Sequence, residues 1–292
     1  MELPRNVFDE LCRLVHRLCG LVIAEDKAYL VRHRLEAVVR AAGCRDFRDF
    51  VERLRGPQGS TLHEPIIEAI TTAETSFFRD GHPFETFRRH LLPRLAERAR
   101  ARAPDPSGPR VRLWCAGAAT GQEPYSLAML LHDFLDSAAA HALVERDFRL
   151  LATDVSAKVL ATAAVGAYAE RELARGLTPG QIARYFERQG EAWVVRESIR
   201  RLVEFRRFNL LQSSAALGPF DVIFCRNVLI YFDDDTRRRV CGQLHAALAD
   251  GGWLLLGSAE SLYGIAEGFE SVRLGDTLLY RRTAAGRPNA RL

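Results

Sequence analysis

Residues 113–130 read LWCAGAATGQEPYSLAML, and on this stretch turns the reading of the whole second half of the chain. It starts as an apolar run and ends as a helix, with two glycines and almost no bulk between them. Glu123 follows at once. Bare backbone at a strand-to-helix turn lets a nucleotide-like ligand approach the main chain. It equally suits a tight turn that only packs well, and spacing alone allows both.

Composition bounds the answer. A chain of 292 residues can hold one large domain and one small one, with ample core. No run approaches the ~20 apolar residues of a membrane span, and charges scattered through the first twenty residues do not read as a signal peptide. Six cysteines are dispersed with no C-x-x-C pair, which argues against a metal site and suits reduced thiols in a cytoplasm. The net charge is +4, and only Lys27 and Lys158 of the 41 basic residues are lysines. Such an arginine bias reads as a coding preference and does not indicate a nucleic-acid partner, and without an apolar span no membrane insertion is expected.

The chain divides by texture. In the expected all-α N-terminal domain, 1–72, Phe8, Leu11, Leu14, Val15 and Leu18 fall at helical spacing before Gly20. Leu30, Val31, Leu35, Val38 and Val39 repeat the pattern before Gly43, and DFRDFVERLRG and HEPIIEAITT supply two shorter helices. Residues 73–109 form a linker and connecting helix, ending in the proline-rich RAPDPSGP. From 110 to 283 strand and helix patterns alternate: RVRLWCAG, EPYSLAMLLHDFL, FRLLATDVS, AKVLATAAVG, FDVIFCRN, DDTRRRVCGQLHAAL and GGWLLLGSA. That alternation predicts an α/β fold, a parallel sheet covered on both faces. Residues 182–208 break it with three runs of β-branched and aromatic residues, read as a small antiparallel insertion whose last strand can join the main sheet. The tail, 284–292, reads as disordered.

Ligands of open α/β sheets bind beyond the carboxyl ends of the strands. The first strand end offers AGAATGQE, which lacks the G-x-G-x-x-G spacing of a pyrophosphate site. The second places Asp154 at a strand tip, where a carboxylate can accept both ribose hydroxyls or merely cap a helix. The third gives CRNVLIYF, in which Arg226 and Asn227 need something polar beyond a buried strand, with Tyr231 close by. A nucleoside with a charged, non-phosphate group fits all three ends, and S-adenosylmethionine is one such ligand. Upstream, TTAETSFFRD (71–80) reads by pattern as a linker with Phe77 and Phe78 plugging an interdomain seam.

In this order, ETSFFRD, TGQEPYS, ATDVS, FNLL and FDVIFCRNVLIYF resemble the chemotaxis receptor methyltransferase (CheR) family. The resemblance extends over nearly the whole chain. It implies a Rossmann-like S-adenosylmethionine-dependent methyltransferase domain behind a helical domain. It also implies S-adenosylmethionine as cofactor, S-adenosylhomocysteine as product, and no metal. By position, Thr75 and Arg79 match a segment reaching into the cofactor site, Glu123 the glutamate of the bare turn, and Asp154 the ribose carboxylate. Asn209 and Leu210 match an N-L pair beside the adenine, Arg226 and Asn227 the R-N pair, and Tyr231 a tyrosine near the transferred methyl. Arg79 and Tyr231 are the candidates for holding the incoming carboxylate. Ala73 departs from the family, whose members often carry Asn there.

The implied activity is esterification of glutamate side chains on the cytoplasmic methylation helices of chemoreceptors. Arg32, His33, Arg34 and Arg40 offer an acidic helix a docking face, or else form a solvated surface. A short turn within 186–195 suggests independence from a receptor C-terminal peptide tether, and a monomer is expected. Two other readings stand beside this one. The first is an adaptor without methyl transfer. The second is a methyltransferase of another substrate, although the D/N-P-P-Y/F/W motif of base-amino enzymes is missing.

Overall fold

The computed structural model describes residues 1–103 and 108–283. The tail expected to be disordered, 284–292, and the middle of the proline-rich linker lie outside the described residues. Four helices open the chain: α1 (Arg5–Cys19), α2 (Ala28–Ala41), α3 (Phe47–Arg55) and α4 (His63–Ile70). Their apolar stripes close on one core containing Phe8, Leu11, Val31, Leu35, Phe47 and Ile66. Gly20 ends α1 at φ 77°, and its N–H returns to the His16 carbonyl, a left-handed stop that glycine adopts without strain. Leu30 and Val38, expected inward, are only half-buried.

A helical connector follows: α5 (His82–Thr86), one π-helical turn over Phe87–Leu91, and α6 (Leu92–Ala101). The α/β part then runs β1 (Val111–Ala116), α7 (Gln122–Leu135), β2 (Phe148–Asp154), α8 (Ala157–Val165), β3 (Ala167–Tyr168), α9 (Glu170–Leu173) and α10 (Pro179–Tyr185). It continues with β4 (Phe186–Gln189), β5 (Ala192–Val195), α11 (Glu197–Arg200), β6 (Val203–Arg207), β7 (Phe220–Cys225), α12 (Asp234–Ala247), β8 (Leu248–Leu256), β9 (Phe269–Leu274) and β10 (Thr277–Arg282).

The main sheet has the order β6-β2-β1-β7-β8-β10-β9. Its first five strands are parallel, and β10 and β9 add an antiparallel edge. Successive residues of β1 point to opposite faces: Leu113 and Cys115 join one core, Trp114 and Ala116 the other. The chain moves outward from β1 through β2 to β6, then returns to pair β7 on the other side of β1. The order reverses there, which opens a crevice at the carboxyl ends of β1 and β7.

The antiparallel insertion is built differently from the expected 182–208. Its three strands, in the order β3-β5-β4, span 167–195. Residues 179–185 are helical, with Thr178 capping Gln181, while β6 extends β2 in parallel from Leu150↔Val203 to Asp154↔Arg207. A two-residue strand such as β3 carries no periodicity to read.

The helical domain is joined to the sheet along one seam. Leu21 bridges Phe232, Val22 donates its N–H to the Tyr231 carbonyl (2.9 Å), and Arg207 pairs with Glu64 (2.6 Å). His16 meets Asp233 at 2.9 Å. A helical domain of this size is marginal alone, and the seam supplies the missing cover.

Candidate functional site

The turn from β1 to α7 answers the question its sequence raised. Gly117 (φ 87°) and Gly121 (φ 99°) occupy left-handed backbone. A Cβ at 117 would stand 2.4 Å from Val228 Cγ2, and one at 121 would stand 2.9 Å from the Tyr168 hydroxyl. Both glycines are therefore demanded by packing, while Gly117 and Ala119 also line a cavity of about 410 Å³. Thr75, Arg79, Glu123, Asp154, Asn209, Leu210, Arg226, Asn227 and Tyr231 all lie on the wall of that same cavity. The helical domain closes it with residues that the sequence pattern did not single out, among them Val22, Lys27 and Tyr29.

Arg226 leaves the end of β7 with its side chain only 1% exposed. Nη1 donates to Glu123 Oε2 (2.8 Å); Nη2 donates to Asp80 Oδ2 (2.7 Å) and to the Arg79 carbonyl (3.0 Å). Phe84 presents its ring 5.5 Å from the guanidinium carbon. The other oxygen of Glu123 accepts from Cys115 Sγ at 3.1 Å, and burial pushes that thiol well above its usual range, so it stays a neutral donor. Two carboxylates thus face this one guanidinium.

Asp154 ends β2. Oδ2 accepts the Ala119 N–H (2.9 Å) and Oδ1 the Ser156 N–H (3.0 Å), while Ser156, not Asp154, caps α8. Burial raises the Asp154 pKa, opposed by main-chain N–H bonds from Ser156, Ala119 and Val155. Each oxygen keeps lone pairs for a further donor.

The 71–80 segment is both seam plug and cavity wall. Phe77 is buried edge-on to Tyr168 (5.0 Å) and Phe186 (5.6 Å), and the Phe78 N–H reaches Ser126 Oγ (3.0 Å). Arg79 is thereby turned to the cavity, held only by a 3.3 Å bond to the Glu74 carbonyl. Among the described residues it has no carboxylate within ion-pair distance. Ala73 does not line the cavity, although Thr72 and Glu74 do.

Asn209 is committed elsewhere. Its Nδ2 donates to the Leu18 carbonyl (2.7 Å) and its Oδ1 accepts from the Leu211 N–H (3.0 Å). It fixes the turn on which Phe208 and Leu210 meet the cavity. Of the basic residues on α2, Arg34 binds the Ile70 carbonyl and Thr72, and Arg40 pairs with Glu36, so Arg32 and His33 remain as the exposed basic pair.

Five non-glycine residues among those described have positive φ, and four of them, Phe78, Asp80, Ala119 and Asn227, line the cavity or flank a residue that does. Strain of this kind gathers where surroundings over-determine the backbone. Glu74 on the cavity wall, and Asp80 and Glu260 behind it, are carboxylates not foreseen. Glu260 follows β8 in GSAES, a fourth strand end to which the same reasoning applies.

A doubly wound sheet whose switch point carries a bare turn and a strand-tip carboxylate, under a helical cover, defines an α/β enzyme built for a nucleoside ligand. The chain belongs to the CheR methyltransferase family. Residues 6–71 match the family's all-alpha domain and 73–277 its SAM binding domain. It is 37% identical to chemotaxis protein methyltransferase 1 of Pseudomonas aeruginosa, over 94% of this chain and 98% of the relative. It is 36% identical to chemotaxis protein methyltransferase 1 of Vibrio cholerae, over 94% and 96%. To the chemotaxis protein methyltransferase of Salmonella typhimurium it is 36% identical, over 90% and 86%. Among the described residues no helix is long and apolar enough to cross a membrane.

Removing one partner of a buried pair strands the other charge. Arg226→Met is expected to destabilise the protein by about 3–5 kcal/mol in urea unfolding, and adding Glu123→Gln should recover part of that loss. Independent, additive losses would show that the two side chains are not a unit.

Proposed function

We propose that the protein transfers a methyl group from S-adenosylmethionine to glutamate side chains on chemoreceptor cytoplasmic helices, acting in the cytoplasm as a monomer and without a metal. The observation that carries this reading is one cavity walled by all nine family-matched residues and roofed by the helical domain. The residues suit the cofactor's chemistry. Asp154 has acceptor capacity for ribose hydroxyls, the excess carboxylate around Arg226 suits a cationic ligand, and Leu210 and Phe208 supply apolar wall. Arg226 is too enclosed to be a main contact, so its role is to hold Glu123 and the 79–80 turn. Asn209 acts through the turn it fixes.

When bound, the cofactor supplies an electrophilic methyl group on a sulfonium. The chain's residues have to position the nucleophile and exclude water. A glutamate carboxylate, with an unperturbed pKa of ~4.3, is ionised at neutral pH and needs no base. Arg79 and Tyr231, both on the cavity wall, steer and orient it, while the helical domain, residues 1–72, reads the receptor helix through Arg32, His33 and the cavity rim.

Asp154→Ala should weaken cofactor binding by about 1–3 kcal/mol in calorimetry. Because burial raises the Asp154 pKa, wild-type affinity should fall with acidification at a pH where a free aspartate is still ionised. Unchanged affinity in folded Asp154→Ala removes it from the site.

Incubation with labelled methyl donor and membranes of the source cell should leave base-labile label on receptor-sized bands. Single-turnover rates should stay flat through neutrality. Arg79→Ala and Tyr231→Phe should lower turnover more than cofactor affinity. A rate that follows a group titrating near neutrality rules out the base-free account.

Only Gly190 and Glu191 separate β4 from β5, a turn too short to clasp a peptide end, which supports independence from a C-terminal tether. Titration with receptor C-terminal peptides should therefore show no micromolar binding. Such binding mapped to Trp193 overturns that part.

A further inference from the structure

Glu260 has no part in the reaction described above, yet four main-chain N–H groups converge on its carboxylate. Oε1 accepts from Val228 (2.9 Å) and Ile230 (3.2 Å), and Oε2 accepts from Asn227 (2.8 Å) and Gly257 (2.7 Å). Three of these donors belong to one short loop, 226–231, and a carboxylate receiving so many N–H bonds is a strong local anchor.

The loop needs an anchor. Asn227 sits at φ 57°, left-handed backbone that a non-glycine residue adopts at a cost, and Val228 is pressed against Gly117. Gly257 has no room for a side chain, since a Cβ would lie 2.8 Å from both Glu260 Oε2 and Asn227 Nδ2. The far end of the loop is Tyr231, which lines the cavity and takes the Val22 N–H from the helical domain on its carbonyl. Glu260 thus ties the end of β8 to the loop that carries the tyrosine.

We propose that Glu260 is a positioning residue for methyl transfer, setting the 226–231 loop so that Tyr231 is held both on the cavity and against the helical domain. The inference rests on the methyl-transfer reading. An amide at 260 keeps the size but loses the charge, and it turns an NH2 group toward at least one N–H that the carboxylate had accepted. The loop then loosens while Asp154, Glu123 and the rest of the cavity stay in place.

The test uses the full chain with Glu260→Gln, labelled S-adenosylmethionine and receptor-bearing membranes of the source cell. Turnover should fall roughly tenfold or more, as small misplacements at a reacting centre do. S-adenosylmethionine affinity by calorimetry should stay within about twofold. In a Tyr231→Phe background the glutamine should add little further loss, because both changes act through the same side chain. Unchanged turnover, a proportional loss of affinity, or full additivity with Tyr231→Phe overturns the proposal. If Glu260→Gln does not fold, Glu260→Asp, which keeps the charge but withdraws it from the loop, carries the same readouts.

Amide exchange separates this proposal from the substrate assignment. Asn227, Val228 and Ile230 should be protected in the wild type and exposed in the variant, whatever the enzyme methylates. Rapid exchange of all three in the wild type sinks the anchor, whereas an inactive wild type with protected amides sinks only the choice of substrate.

Discussion

A guanidinium buried at the end of a parallel strand has to be met by charge, and at Arg226 that charge arrives from two other parts of the chain. Glu123 comes from the first turn of α7, and Asp80 with the Arg79 carbonyl comes from the segment between the helical domain and the connector. Stripping water from such a cation costs several kcal/mol, and the return depends on both partners being in place at once. The arrangement is not fully compensated: among the described residues Arg226 Nε has no hydrogen-bond partner. Well-packed apolar residues in place of the arginine and both carboxylates together would serve stability about as well. What the ion network adds is convergence, since one side chain obliges the bare turn, the arginine-bearing segment and the β7 loop to meet at the switch point.

The cavity belongs to both domains, and its walls are fastened across the seam by main-chain groups. Asn209 reaches the end of α1, Tyr231 takes the Val22 N–H, and Leu21 bridges Phe232. Main-chain bonds do not tolerate sliding as long charged side chains do, so the helical domain is placed to within hydrogen-bond tolerance of the reacting centre. The cavity wall is therefore continuous across the two domains. The basic face of α2 contributes less than its sequence suggests, because Arg34 and Arg40 are taken up within the helical domain.

Periodicity made the helices, the parallel strands and the strand ends legible, because a repeating buried face leaves a repeating pattern of residues. Asp154 and Glu123 could be found by the same logic, each standing where a strand or a turn delivers it to the crevice. Two features left no such trace. The strand β3 has two residues. The edge hairpin β9–β10 turns on Gly275 and Asp276, a two-residue signal of the kind that marks hairpins, which the alternating pattern before it obscured. Arg226 and Asn209 line the cavity as expected, but their bonds to other segments of the chain were not legible, for a different reason. A polar residue at a strand end announces that something polar lies beyond it, but not whether that is a ligand or another segment of the same chain.

The distribution of charge suits the proposed reaction. The buried cation is neutralised twice over, whereas Arg79, at the cavity wall, is left with one long bond to a carbonyl. A guanidinium closed into a bidentate pair would hold a substrate carboxylate firmly and blunt it as a nucleophile. One that is anchored weakly, on a flexible stem, can draw a carboxylate inward and yield as its charge is consumed. Tyr231 lines the same cavity and offers a phenol hydroxyl that can donate or accept a hydrogen bond. In the proposed reaction Tyr231 supplies orientation and Arg79 attraction, so the nucleophile is guided to the site without being captured there.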